Sequence, residues 1–254
     1  MKGGLPVAAA LTVLTIMTLC ASCSDGDEGG TQSPEATTTV KTSVPNIEEF
    51  DYELIEVARN STVSIKGSDC PRFQFGSGFF LRNGLIVTNA HVVAGIGKPL
   101  VTLFNSSGRV EELEARVIGF DAVTDLALLD IGSHEMKGFD LNQARDGENI
   151  ALVGYDREGE PDWRPGQVSQ HIRATGSDIY GNTGPGRDAL VISMDVDPGH
   201  SGSPLINSLG QVVGVTFSSV KGGSSTAYAI QVNELNAFVE NLSKESPTVV
   251  SDCR

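Results

Sequence analysis

The chain has 254 residues, with 32 acidic against 18 basic side chains and a formal net charge of −14. An acidic surface repels phosphate and gains nothing from counterion release, which argues against nucleic acid as a partner. The charge favours solubility instead, and with the polar ends set aside roughly 200 residues remain, enough for one two-lobed domain with a substantial core.

Lys2 supplies a short positive region, and Leu5 to Leu19 is apolar and uncharged. That stretch is short for a membrane-spanning helix and runs into polar residues, which is the pattern of a signal peptide over residues 1–23. Its end, Leu19-Cys20-Ala21-Ser22-Cys23, resembles the lipobox of bacterial lipoproteins, with small residues before a cysteine that cleavage exposes for lipidation. Cys20 departs from that pattern, because an aliphatic residue is usual there. Lipidation at Cys23 predicts an enzyme tethered to a membrane; a simple secretory signal and an uncleaved anchor are the alternatives. Residues 24–45 are rich in Ser, Thr, Gly, Asp and Glu and cannot bury enough surface to fold, so they read as a flexible linker.

The folded domain is expected over residues 46–254. Phe50, Leu54 and Val57 at near-helical spacing predict a short helix over 46–58, with Asn60 as its stop. Short strands follow at 62–66, 76–81, 85–88, 100–104, 114–120 and 126–131, with Asn83-Gly84 and Ser107-Gly108 as turn dipeptides. A polar stretch over 132–148 crosses to a second group at 150–155, 168–175, 189–194, 204–207, 212–218 and 226–230. A helix over 232–242 closes the pattern, with Leu235, Phe238, Val239 and Leu242 on one face. This predicts an all-β fold of two six-stranded antiparallel barrels, over about 60–132 and 146–231, with a C-terminal helix.

Three segments carry chemistry. Asp197-Pro198-Gly199-His200-Ser201-Gly202-Ser203-Pro204 reads as a serine nucleophile on a tight loop, where flanking glycines admit close approach of a substrate. A serine hydroxyl needs a base to take its proton, and His91 in Thr88-Asn89-Ala90-His91 has the right intrinsic pKa. Asp125 opens the apolar run Leu126-Ala127-Leu128-Leu129, so its carboxylate starts at the edge of a core and can fix the imidazole tautomer. Asp121 is the competing carboxylate. Backbone N–H groups of Gly199 and Ser201 are the candidate oxyanion donors. No cofactor or metal is required, and His134 and His171 lie without ligand-like neighbours. Cys70 and Cys253 are the cysteines left to the folded part, either as a pair, as an exported chain favours, or as two free thiols.

These blocks resemble the chymotrypsin-fold (trypsin-like) serine proteases of the HtrA-related bacterial type. Gly76-Ser77-Gly78-Phe79-Phe80 and Leu85-Ile86-Val87-Thr88-Asn89-Ala90-His91 are similar to that family's approach to its histidine. Asp125-Leu126-Ala127-Leu128-Leu129 is similar to its aspartate strand, and Pro198 to Pro204 to its nucleophile loop. The resemblance covers roughly residues 62–241. It implies an exported serine endopeptidase acting on protein or peptide substrates, with Ser201 attacking through an acyl-enzyme, His91 moving protons and Asp125 orienting it. The cysteine positions are similar to those of membrane-anchored actinobacterial periplasmic proteases, which implies a Cys70–Cys253 disulfide. The alternative is a catalytically silent peptide-binding or sensor protein on the same fold. Too few residues follow Asn241 for a PDZ domain, so peptide capture of that kind is not expected.

His200 stands where such enzymes usually carry Asp or Asn. It cannot form the anionic pair of zymogen activation; it either makes the oxyanion loop acid-sensitive or is a hydrogen-bonded or surface residue without regulatory role. Ser203 replaces a common glycine. For specificity, Asp195 lies six positions before Ser201, where a trypsin-like pocket keeps its acidic floor. Phe217, Ser219 and Thr226 are expected to line the pocket, and if Phe217 and Thr226 crowd it, a small or medium apolar side chain is an equal alternative.

Overall fold

The computed structural model describes residues 47–71, 73–104, 110–134, 136–219 and 225–254. Cys23, the leader, the linker and the Ser107-Gly108 turn lie outside the described residues. After a 3-10 turn at Ile47–Glu49, helix α1 (Tyr52–Arg59) opens on Asp51, whose carboxylate accepts from the Leu54 amide at 2.8 Å. That bond satisfies one of the amides a helix start leaves without a partner. The helix closes on Asn60 and buries Ile55 and Ala58, whereas Val57 is 41% exposed and off that face.

The first lobe is one antiparallel sheet. Its strands are β1 (Thr62–Gly67), β2 (Gln74–Phe80), β3 (Ile86–Thr88), β4 (Leu100–Phe104), β5 (Val110–Glu114), β6 (Arg116–Asp121) and β7 (Leu126–Asp130). They run in the order β5-β4-β1-β2-β3-β7-β6, and the one-turn helix α2 (Ala90–Val93) follows β3. Seven strands stand where six were expected, because β5 is a separate edge strand. Its sequence Val-Glu-Glu-Leu-Glu is mostly exposed and lacks apolar alternation; it pairs along β4 through the backbone ladder, with Lys66–Glu112 and Lys98–Glu114 ion pairs on its surface.

The second lobe closes into a six-stranded barrel. It comprises β8 (Asn149–Tyr155), β9 (Pro161–Ala174), β10 (Arg187–Ser193), β11 (Pro204–Ile206), β12 (Val212–Ser219) and β13 (Thr226–Gln231). Strand β9 begins seven residues before the expected 168. The added half carries Pro161 and Pro165 and pairs with β8 alone; pairing with β10 starts only at Gln167. A residue that cannot donate is tolerated where one side of the strand has no partner. Helix α3 (Val232–Val239) closes the fold, with Leu235 buried and Phe238 and Leu242 packed on the same apolar cluster.

Side-chain alternation along the strands builds three cores. Phe80, Ile86, Val63 and Leu129 fill the first lobe, and Ile150, Leu152, Leu190 and Val213 fill the barrel. The opposite faces of the same strands meet between the lobes: Phe79, Val87 and Leu128 from the first, Ala151, Val153 and Val215 from the second. Strands buried on both faces show continuous apolar runs, which is why Leu126-Ala127-Leu128-Leu129 carries no polar residue. The seam between the lobes is where the three chemical segments converge.

Candidate active site

Strand β3 pairs with β7, with Thr88 opposite Ala127, so the residues just beyond their paired ends are neighbours. His91 sits in α2 and Asp125 immediately before β7. The His91 Nδ1 lies 2.7 Å from Asp125 Oδ2, and the His91 amide donates to Asp125 Oδ1 at 2.9 Å. Asp125 is 3% exposed and adopts φ of 62°, a left-handed conformation that Asp tolerates better than bulkier residues. Asn89 Nδ2 anchors it by donating to the Asp125 carbonyl at 2.9 Å. The competing Asp121 does other work: its carboxylate accepts from the Val123 and Thr124 amides and shapes the turn that delivers Asp125. With the Nδ1 proton held by a carboxylate, the His91 Nε2 is left as the acceptor nitrogen.

Ser201 comes from the barrel. Asp197-Pro198-Gly199-His200 forms a turn closed by the His200 amide donating to the Asp197 carbonyl at 3.1 Å. Proline at the second position and Gly199 at φ of 108° at the third give the turn its type II form, which a side chain at the third position would strain. Among the described residues, neither the Gly199 nor the Ser201 amide finds a protein acceptor. Two free N–H groups, two residues apart, therefore flank the serine.

The loop is held from the first lobe by Ser77, a residue whose role was not legible in the sequence. Ser77 is fully buried; its hydroxyl donates to the Gly199 carbonyl at 2.8 Å and accepts from the Tyr155 amide at 2.9 Å. Its own amide donates to the Ser201 carbonyl at 2.8 Å, and Thr88 Oγ1 donates to the Ser77 carbonyl at 2.7 Å. Neighbouring Gly76 admits this approach, since a Cβ there would stand 2.8 Å from the Ser201 carbonyl oxygen. Glycines inside the apparent strand Gly76-Ser77-Gly78 were the available signal of close backbone approach.

His200 is fully buried under the turn. Its Nδ1 accepts from the Asp197 amide at 3.0 Å, which places the ring proton on Nε2, 3.2 Å from Asp162 Oδ2. Arg164 closes the circuit, donating to Asp162 at 2.7 Å and to Asp197 at 3.2 Å. Burial holds the imidazole below the ordinary histidine pKa, opposed in part by Asp162.

His91, Asp125 and Ser201 line one cleft of about 450 Å³, with Ile179, Arg187, Val196 and Phe217. Among the described residues no hydrogen bond joins the Ser201 hydroxyl to His91; the histidine's ring bond is to Asp125. Of the expected pocket residues, Phe217 lies in the cleft. Asp195 is exposed and Thr226 half-buried, and neither lines it. Ser219 ends β12 opposite Ala227, and its side chain lies outside the described part. Cys70 and Cys253 are bonded, with Cα atoms 5.8 Å apart. Among the described residues no group of His, Cys, Asp and Glu is arranged for a metal, and no helix is long and apolar enough to cross a membrane.

A two-lobed β fold with a buried Asp–His pair and a serine turn across the seam defines a peptidase of the chymotrypsin type. Residues 76–215 match the trypsin-like peptidase domain, and the chain belongs to that family, with the HtrA-related fold that the resemblance implied. It is 28% identical over 222 residues to the serine protease Rv3671c of Mycobacterium tuberculosis H37Rv, covering 85% of this chain and 55% of that one. A Rhizobium meliloti protein named "Probable periplasmic serine endoprotease DegP-like" is 34% identical over 184 residues, covering 69% of this chain and 34% of that one. The chain thus spans about half or less of the length of these relatives. The active form of Rv3671c in its crystal structure superposes with a TM-score of 0.77 at 27% identity, over 88% of this chain and 99% of that one. An inactive form of the same protease gives 0.68.

Proposed function

We propose that the chain is an exported serine endopeptidase that hydrolyses peptide bonds of extracytoplasmic proteins through Ser201, His91 and Asp125. The observation that carries the reading is the buried 2.7 Å contact between Asp125 and the His91 Nδ1, in one cleft with Ser201. In this reading Asp125 fixes the tautomer and stabilises the imidazolium that develops. The His91 Nε2 takes the Ser201 proton as Oγ attacks the carbonyl carbon, then returns it to the departing amine as the acyl-enzyme forms. Water, activated the same way, releases the acid. The free Gly199 and Ser201 amides receive the oxyanion of each tetrahedral intermediate. A Ser–His bond absent before substrate arrives is compatible with this, since catalytic bonds tighten in the Michaelis complex.

Export rests on the leader pattern and on the name of the DegP-like relative, and membrane tethering on lipidation of Cys23. The test is fluorophosphonate labelling of the full chain beside Ser201→Ala, with casein turnover measured in parallel. Labelling and turnover that vanish in the variant are expected. A wild type that takes no label yet binds peptides would establish the silent scaffold instead.

A further inference from the structure

Arg187, the first residue of β10, stands between the catalytic cleft and an adjoining hollow of about 510 Å³, and lines both. Its guanidinium carbon lies over the Phe217 ring, 4.9 Å from the centre, within reach of a cation–π attraction. Phe217 in turn rests near Tyr228, with ring centres 6.3 Å apart. The Nη2 donates to the Ser177 carbonyl at 3.4 Å, while Nη1 is buried without a partner among the described residues. Arg187 is half-buried: Nη1 is turned away from the cleft, while the residue itself lines it.

Two carboxylates of the cleft are paired with basic side chains, and a third is held by neutral donors. Asp125 is bound to His91 and Asp197 to Arg164. Asp178 accepts from the Tyr180 and Asn182 amides and the Asn182 side chain within its own loop. Arg187 forms no ion pair with any described residue, and Arg254 lines the same cleft. Arg187 is therefore a cation of the cleft without a carboxylate partner among the described residues, and its planar fork matches a substrate carboxylate.

We infer that Arg187, braced on Phe217, is a specificity-determining residue that selects substrates carrying a glutamate or aspartate side chain within a few residues of the bond cut. This rests on the endopeptidase reading above and deepens it. It also replaces the basic preference that Asp195 suggested, since Asp195 lies outside the cleft.

The test uses the full chain and fluorogenic peptides that carry Glu, Gln or Lys at each of the four positions before the scissile bond. The readout is the ratio of kcat/KM for Glu over Gln, beside fluorophosphonate labelling and thermal melting of every variant. A Glu/Gln ratio of tenfold or more at one position is expected for the wild type. Arg187→Gln should bring it within about twofold, Arg187→Lys should retain part of it, and Arg187→Glu should turn the preference toward Lys. A merely structural arginine would not reverse the sign. A labelled wild type with no Glu preference at any position overturns this inference alone. A wild type that takes no label overturns the endopeptidase reading together with it.

Discussion

Replacing Ser77 by alanine tests whether the first lobe sets the geometry of the nucleophile turn. The substitution leaves the backbone trace intact and removes one hydroxyl that serves two buried groups, the Gly199 carbonyl and the Tyr155 amide. Each orphaned group costs about 1–3 kcal/mol when no water can reach it, so a loss of about 2–4 kcal/mol in unfolding free energy is expected after partial relaxation. The catalytic effect is separate. The Ser77 hydroxyl is the bond that holds the Gly199 peptide from the opposite lobe, and losing an oxyanion donor outright costs about 10²–10³ in kcat. A loosened rather than deleted donor should lower kcat by roughly 10–10² with little change in KM. Urea unfolding in the Ser201→Ala background, where self-cleavage is absent, measures the first quantity; peptide kinetics in the active background measure the second. A Ser77→Ala enzyme with an unchanged unfolding midpoint and kcat within twofold of wild type would refute the reasoning.

Asp125→Asn preserves shape but offers His91 an amide, which favours the wrong tautomer; kcat should fall about 10⁴-fold while melting moves little, and stopped assays on peptide esters will register it. Cys70→Ser opens a loop spanning a sequence separation of 183 residues, for which chain entropy gives about 5 kcal/mol as an upper value; denaturant titration with and without reductant should show the loss in the wild type and none further in the variant. For His200, the folded state favours the neutral ring, so the unfolded chain binds more protons below the ordinary value of 6.5. Stability is therefore complete above that pH and declines as pH falls toward the depressed folded pKa, by at most about 1.4 kcal/mol per unit. His200→Gln should flatten that decline in pH-resolved melts, and an unchanged slope would remove His200 as its source.

The sequence disclosed what repeats as a pattern and hid what depends on contact between distant segments. Apolar runs such as Ile150 to Tyr155 located strands because both of their faces are buried. The charged β5 and the proline-bearing start of β9 escaped because one is an exposed edge strand without apolar alternation and the other is paired on one side only. His91, Asp125 and Ser201 were nameable because triad chemistry restricts residue type and chain order. Ser77 and Arg187 were not, since a serine and an arginine acquire meaning only from the Gly199 carbonyl and the Phe217 ring that meet them in space. Asp195 shows the converse error: spacing along the chain placed it in a pocket, and the loop's path leaves it at the surface. His200, read as either acid-sensitive or inert, is buried with both ring nitrogens engaged.

His91 and Asp125, the proposed base and orienting carboxylate, sit at the ends of adjacent strands of one sheet, whereas Ser201 belongs to the other half of the molecule. A slight rotation of one half against the other would disarm the enzyme without unfolding either. The apolar layer of Phe79, Val87, Leu128, Val153 and Val215 that joins the halves thus sets the alignment of the proposed triad as well as the stability of the fold.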